Sequence, residues 1–310
     1  MNAPTATPVA MAELTEAPFV VHRAGAVARS PLVFASPHSG RHYPPDMMAA
    51  SLLDSASIRL SEDAYVDELI LGGVDHGATV IAAAFARAYI DVNREPYELD
   101  ATMFEDELPD FARGRSARVA AGLGSIARIV AEGQEIYARK LTFAEARRRI
   151  ELVHQPYHDA LAGLLAQARA AFGVAVLIDW HSMPAAAART YGQSGDSGAG
   201  RRGMSGAGVC DLVLGDRFGT ACAPAITTLV ERELEAMGYR VARNAPYAGG
   251  YTTEFYGKPA ERTHALQIEI NRGLYLDEAS LEPREGFGRL KHDLEKVFAA
   301  LAAGVGRGAV

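Results

Sequence analysis

The chain has 310 residues, with 31 Lys and Arg against 38 Asp and Glu, for a formal net charge of −7. That acid excess argues against a surface built to track nucleic-acid phosphates, and a composition 49% hydrophobic and 22% charged is not that of a disordered chain. Two cysteines, Cys210 and Cys222, rule out a disulfide framework or a thiolate metal cluster and fit a reducing, cytoplasmic compartment.

In chain order, residues 1–17 carry no Lys or Arg and no long apolar run, which predicts a frayed tail rather than a secretory signal. Residues 18–310 are expected to form one domain, because no linker or internal repeat divides them. Short apolar runs then alternate with stretches of helical period, the pattern of strands joined by crossover helices. Strands are predicted at 32–36, 79–83, 174–180, 211–214, 240–242 and 265–270. Helices are predicted at 134–150, 156–171, 224–237 and 285–302, with a break or kink at Pro156 and a stop at Gly238. The Gly/Ser-rich segment 193–209 reads as a flexible loop, either a lid or a passive linker. Apolar runs nowhere reach the eighteen uninterrupted residues of a membrane span. The fold expected is α/β, a mixed and mostly parallel sheet flanked by helices.

Several strands run into polar clusters: Pro37-His38-Ser39-Gly40, Asp179-Trp180-His181-Ser182 and Glu269-Ile270-Asn271-Arg272. Ligands of open α/β sheets bind outside the carboxyl ends of strands, so these clusters are the first places to look for chemistry. His38 and His181 are candidate metal ligands, and a hydrolytic zinc site needs one more, commonly a carboxylate, leaving a fourth position for water. Glu62 and Asp63 could supply it, or could simply sit at the positive end of a helix capped by Ser61. His154 and His158 also lie four apart, but Pro156 interrupts that helix face and no Glu follows His154, so packing is the better reading.

Arg87 and Asn93-Arg94 follow or flank an apolar run and suit the gripping of a carboxylate, although an Arg here could instead neutralise Asp91 or Glu95. The loop from Asn244 to Tyr251 includes Gly249, Gly250 and Tyr251; paired glycines let backbone approach a ligand, or they make a plain turn. Glu269 alternates with Ile268 and Ile270; inside a buried strand it would be costly unless it works, as a general base, and on a wet strand face it would be idle. Glu254 is its understudy. Gly198-Ala-Gly200-Arg-Arg-Gly203 satisfies the written dinucleotide pattern but lacks the preceding strand and following helix, and neither a Gly-x-Ser-x-Gly elbow nor a phosphate loop is present.

Taken in order, Pro37-His38-Ser39-Gly40, Ser61-Glu62-Asp63, Asp91-Val-Asn93-Arg94-Glu-Pro, Asp179-Trp-His181-Ser182, Leu214-Gly-Asp216-Arg-Phe-Gly, Pro246-Tyr-Ala-Gly249-Gly250-Tyr251 and Gln267-Ile-Glu269-Ile-Asn-Arg272 resemble the N-formylglutamate amidohydrolase family. The resemblance runs from about His38 to Tyr275. It implies a phosphorylase/hydrolase-like fold related to the zinc carboxypeptidases and the aspartoacylases. It implies metal ligation by His38, Asp63 (Glu62 as the alternative carboxylate) and His181, with zinc the expected ion and cobalt or manganese acceptable. Asn93 and Arg94 resemble the pair with which carboxypeptidases hold a substrate carboxylate, Glu269 falls at their catalytic glutamate, and Arg87 would assist at the anionic intermediate. The activity implied is hydrolysis of N-formyl-L-glutamate to formate and L-glutamate, a step of histidine degradation, on a small anionic substrate without nucleic-acid or membrane partners. Another N-acyl amino acid or peptide as substrate, or an amino-acid-binding protein without turnover, are the alternatives. One departure is clear: carboxypeptidases place a glutamate ligand three residues after the first histidine, where this chain has Arg41.

Overall fold

The computed structural model describes residues 16–130, 133–193 and 209–306. The expected tail up to residue 15 and positions 194–208 of the Gly/Ser-rich loop lie outside the described residues. The strands are β1 (Phe19–His22), β2 (Leu32–Ser36), β3 (Thr79–Ala83), β4 (Ala175–Met183), β5 (Leu212–Gly215), β6 (Val241–Arg243) and β7 (Thr263–Asn271). The helices are α1 (Pro45–Ala49), α2 (Val66–Ile70), α3 (Ala117–Ala120), α4 (Phe143–Arg149), α5 (Gln155–Phe172), α6 (Ala185–Gln193), α7 (Pro224–Ala236), α8 (Tyr251–Tyr256) and α9 (Gly286–Gly306).

All seven strands form one sheet in the order β1-β3-β2-β4-β7-β5-β6. The central four run parallel, β1 is antiparallel at one edge, and β5 with β6 form a parallel pair antiparallel to β7. The domain is thus a mixed α/β sheet, as expected. Six strands match predicted ones. The four-residue β1 gave no signal because an edge strand alternating half-buried and exposed positions needs no apolar run. Strands β4 and β7 outrun their predictions, since their polar ends stay in the ladder as far as Met183 opposite Asn271.

Strand residues alternate between two faces with period 2. On one face Phe34, Val176, Ile178, Trp180, Leu266, Ile268 and Ile270 pack against α7 and α9, whose inward side includes Val230, Leu294, Val297 and Phe298. On the other, Val33, Ala35, Ala175, Leu177 and Ala265 are covered by Tyr157, Leu161 and Leu165 of α5.

Helix α4 starts later than predicted because Thr142 and Glu145 form a capping box that sets its first turn at Phe143. It does not break at Pro156. A π-helical turn over Ile150–His154 joins α4 to α5 and takes up the carbonyl for which proline has no N–H. Gly238, in the left-handed region at φ 92°, ends α7 near its predicted stop. Cys210 and Cys222 are free and buried. No helix among the described residues is long and apolar enough to cross a membrane.

Candidate active site

The face of the sheet that α5 covers near the strand beginnings turns polar toward the strand ends. In β4 the row Ala175, Leu177 continues as Asp179, His181; in β7 the row from Ala265 continues as Gln267, Glu269. The parallel register sets Asp179 beside Gln267 and His181 beside Glu269. All four side chains therefore project from one face at the carboxyl ends of two central strands.

His38 stands in the turn after β2, where a Cβ added at Gly40 would sit 2.1 Å from the Phe85 carbonyl oxygen. The turn is tied to the Asp63 loop twice: Asp63 N donates to the His38 carbonyl (3.0 Å) and Ser39 Oγ donates to the Asp63 carbonyl (2.9 Å). Ser61 caps no helix; it closes a 3-10 turn at Ser57–Ser61, and α2 begins only at Val66 after Tyr65 in the left-handed region. The capping role that sequence allowed for the Glu62-Asp63 pair thus fails, because the chain turns inward at these residues.

Three side-chain atoms meet there. His181 Nδ1 lies 3.1 Å from His38 Nδ1 and 3.1 Å from Asp63 Oδ2, and His38 Nδ1 lies 3.2 Å from Asp63 Oδ2. These residues are the His, Asp and His group able to hold a metal ion. Glu62, the alternative carboxylate, points away and is occupied by Arg59 (3.0 and 3.1 Å) and the Tyr43 hydroxyl (2.8 Å).

The far sides of the imidazoles face carboxylates. His38 Nε2 is 2.7 Å from Asp91 Oδ1, and His181 Nε2 is 3.0 Å from Asp179 Oδ2 and 3.1 Å from Asn93 Nδ2. Neither Asp179 oxygen accepts an aligned hydrogen bond among the described residues, although the residue is fully buried. Arg272 closes the remaining side by donating to Asp63 Oδ1 (2.8 Å) and Ser182 Oγ (3.0 Å). Burial pushes against charge on Asp63, yet His181, His38 and Arg272 hold its carboxyl well below the usual range. The same contest at Asp91 goes to His38, Arg87 and Arg94, again lowering it well below.

Two features fit a divalent metal. Bonds of about 2.0–2.1 Å to a tetrahedral ion separate its ligands by about 3.3–3.4 Å, close to the observed triangle. A buried carboxylate behind each ligand imidazole, one lacking any aligned donor, is the arrangement that orients histidines toward a metal.

Glu269 beside His181 is buried and accepts a bond from Gln267 Nε2 (2.7 Å). Burial raises its carboxyl above the ordinary value, with Asp63 adding to the rise against the pull of His181, His38 and Arg87. Glu269 therefore does not stand on a wet strand face. Glu254, its understudy, lies on the surface, paired with Arg217.

His38 and Asp63 of this group border a cavity of about 740 Å³, lined also by Arg87, Asn93, Arg94, Gly249, Gly250 and Glu269. Arg87 does what the bland reading allowed, donating to Asp91 Oδ2 at 2.8 Å, while still lining the cavity. Arg94 makes no ion pair among the described residues and donates instead to the carbonyls of Leu123 (3.1 Å) and Asn93 (2.8 Å). Burial, with Arg87 and Arg118 nearby, lowers it below its ordinary range against the pull of Asp91.

One expectation for the 244–251 loop needs correction, that of Tyr251. A Cβ at Gly250 would lie 2.6 Å from Asn93 Nδ2 and one at Gly249 3.1 Å from Arg217 Cγ. Both glycines border the cavity, but the space beside them is filled by side chains of this protein. Tyr251 does not line the cavity: it opens α8 and packs on His158 and Phe255, with ring centroids 5.4 and 5.3 Å away, whereas Tyr247 does line it. His154 and His158 are no metal pair. Their Nε2 atoms bond the carbonyls of Arg94 (2.9 Å) and Val92 (2.8 Å), fixing the backbone on either side of Asn93.

Sequence reasoning gave no role to Asp179, Gln267, Tyr247 or Arg272, and to Asp91 only that of an arginine's partner. A signal existed for two of them: Asp179 and Gln267 stand two residues before His181 and Glu269, hence on the same strand face.

The N-formylglutamate amidohydrolase family model matches residues 30–276. An N-formylglutamate deformylase of Pseudomonas putida is 30% identical over 253 residues, covering 81% of this chain and 83% of that relative. The crystal structure of an N-formylglutamate amidohydrolase from Ralstonia eutropha JMP134 is similar with a TM-score of 0.83 and 39% identity, over 94% of this chain and 100% of that one. A gene product of Agrobacterium tumefaciens shares the fold at a TM-score of 0.63 and 16% identity, over 94% of this chain and 96% of its own. With the family's match spanning strands β2 to β7 and every residue of the buried His, Asp and His group, this chain belongs to the N-formylglutamate amidohydrolase family.

Proposed function

We propose that this protein hydrolyses the amide bond of N-formyl-L-glutamate to formate and L-glutamate. The observation that carries the reading is a metal-competent His, Asp and His triangle bordering one cavity, a buried glutamate lining that cavity, and an arginine there that ion-pairs with no carboxylate among the described residues. His38, Asp63 and His181 would hold the ion, and two imidazoles with one carboxylate suit zinc while accepting cobalt or manganese. When bound, such an ion supplies Lewis acidity toward the amide carbonyl and makes water acidic enough to react near neutral pH.

The chain's own groups do the rest. Arg94 grips the substrate carboxylate in a fork of N–H donors, and Asn93, fixed by the bond that Thr252 N donates to its Oδ1 (2.8 Å), borders the same space. That grip holds the amide over the centre and converts binding into orientation. Glu269, raised by burial, is suited to take a proton from the attacking water and pass it to the departing amine. Arg87, held in place by Asp91, faces the oxygen on which negative charge develops.

Purified protein should contain about one divalent ion per chain and release amine from N-formyl-L-glutamate faster than from N-acetyl-L-glutamate. Chelation should abolish turnover, and adding zinc back should restore it. Protein that neither binds a divalent ion nor turns over any acyl-glutamate would overturn the proposal.

A further inference from the structure

The cavity carries more positive charge than one carboxylate requires. Two of its five arginines are committed, Arg87 to Asp91 and Arg272 to Asp63. Arg94 and Arg118 ion-pair with no carboxylate among the described residues. The fifth, Arg217, donates to the Gly249 carbonyl (3.4 Å) and pairs with Glu254 at 3.0 Å on the protein surface, and such exposed pairs contribute little.

Arg217 is held in an unusual way. It and Phe218 both occupy the left-handed region, at φ 52° and 58°, a conformation that costs energy for side chains of this size. The loop around them enforces it. Asn244 Oδ1 accepts from Asp216 N (3.1 Å) and Phe218 N (3.2 Å), and Asp216 Oδ1 accepts from Gly219 N (3.0 Å) and Asn244 Nδ2 (2.8 Å). Arg217 N in turn donates to the Ala248 carbonyl (2.8 Å). Within Leu214-Gly-Asp216-Arg-Phe-Gly, Asp216 thus builds the turn, and Arg217 is the residue whose side chain reaches the cavity.

Its position relative to the first clamp is also fixed. The space beside Gly250 is taken by Asn93 and the space beside the preceding Gly249 by Arg217. Arg217 and Asn93, which Arg94 follows in the chain, therefore stand against neighbouring residues of one dipeptide, and both arginines line the cavity that dipeptide borders. A substrate with two carboxylates can offer one to each of these cations; a monocarboxylate leaves one cation unmatched.

We infer that Arg217 is a specificity-determining residue that receives the side-chain carboxylate of an N-acyl dicarboxylic amino acid while Arg94 holds the α-carboxylate. The inference rests on the hydrolase reading given above. It assigns the strained loop its purpose, which is to carry a cation over the glycine edge of the cavity.

The test compares N-formyl-L-glutamate with its neutral isostere N-formyl-L-glutamine, in the metal-loaded wild-type protein and in Arg217→Gln and Arg217→Lys. Wild type should favour the glutamate substrate by about 100-fold in kcat/KM. Arg217→Gln should lose about 100-fold on that substrate, mostly through KM, and stay within about threefold on the glutamine one. Arg217→Lys, keeping the charge without the fork, should fall between. All three chains should melt within a few degrees of one another, since the substitutions keep a non-glycine residue at this backbone position. Equal losses on both substrates, or no loss on either, would overturn the inference while leaving the hydrolase reading intact. Wild-type protein that turns over neither substrate would instead sink that reading and the inference with it.

Discussion

At the scale of single residues, the candidate centre depends on groups that do not touch the presumed ion as much as on those that do. His38 presents Nδ1 to the centre because Asp91 Oδ1 accepts at its Nε2, 2.7 Å away. Asp91 is in turn held by Arg87 and by the Asn93 amide (2.8 Å each). Replacing Asp91 by Asn keeps the volume but removes the charge behind the ring and the partner of Arg87. Divalent-metal affinity should fall about 10- to 100-fold in Asp91→Asn, read by competition with a coloured chelator. Unchanged affinity would show that the imidazole needs no carboxylate to hold its orientation. The resemblance favours Asp63 over Glu62, and the coordinates supply the physical reason: both are buried acids, and what separates them is which one Arg59 reaches.

At the scale of elements, the helix carrying His154 and His158 shows how a local feature of sequence acts at a distance. The π turn before Pro156 brings both histidines against the 92–94 backbone, where they act as neutral donors. Burial lowers His158 to about 3 and also lowers His154 below its ordinary value. An unfolded histidine titrates near 6.5, so the stability His158 contributes is complete above that pH and is lost as pH falls from about 6.5 toward about 3. Between pH 7 and pH 4.5 this amounts to roughly 2–3 kcal/mol. His158→Gln removes the titration and keeps an N–H for the Val92 carbonyl. Urea titrations at the two pH values should show the variant losing less stability on acidification than wild type, by about that amount. Parallel acid sensitivity in both chains would place the titrating groups elsewhere.

At the scale of the whole molecule, the two faces of the sheet divide the labour. One is sealed by α7 and α9 around Phe34, Trp180 and Phe298, with ring centroids 5.1 and 5.7 Å from Phe298. The other is sealed by α5 only near the strand beginnings and is polar beyond. Truncating the fully buried Phe298 to Ala should therefore cost about 3–5 kcal/mol in urea unfolding. The folded protein should retain its KM, because the cavity lies across the sheet. A shift in KM with little loss of stability would contradict this division.

How much the sequence determined follows from which interactions are local. Runs of apolar residues specified six strands, Gly238 marked the end of α7, and strand parity sets Asp179 with His181 and Gln267 with Glu269 on common faces. Motif order pointed to His38, His181, Asn93-Arg94 and Glu269. Tertiary structure alone decided which strand neighbours which, and so brought residues 38, 63, 181 and 272 together across more than half the chain. It also gave Asp63 the centre and Glu62 the rim, put Tyr247 rather than Tyr251 in the cavity, and filled the space beside the paired glycines with Asn93 and Arg217. Backbone periodicity is written into neighbouring residues, but the partner of a buried charge is whatever the closed fold sets against it, and that is fixed only when the strands have paired.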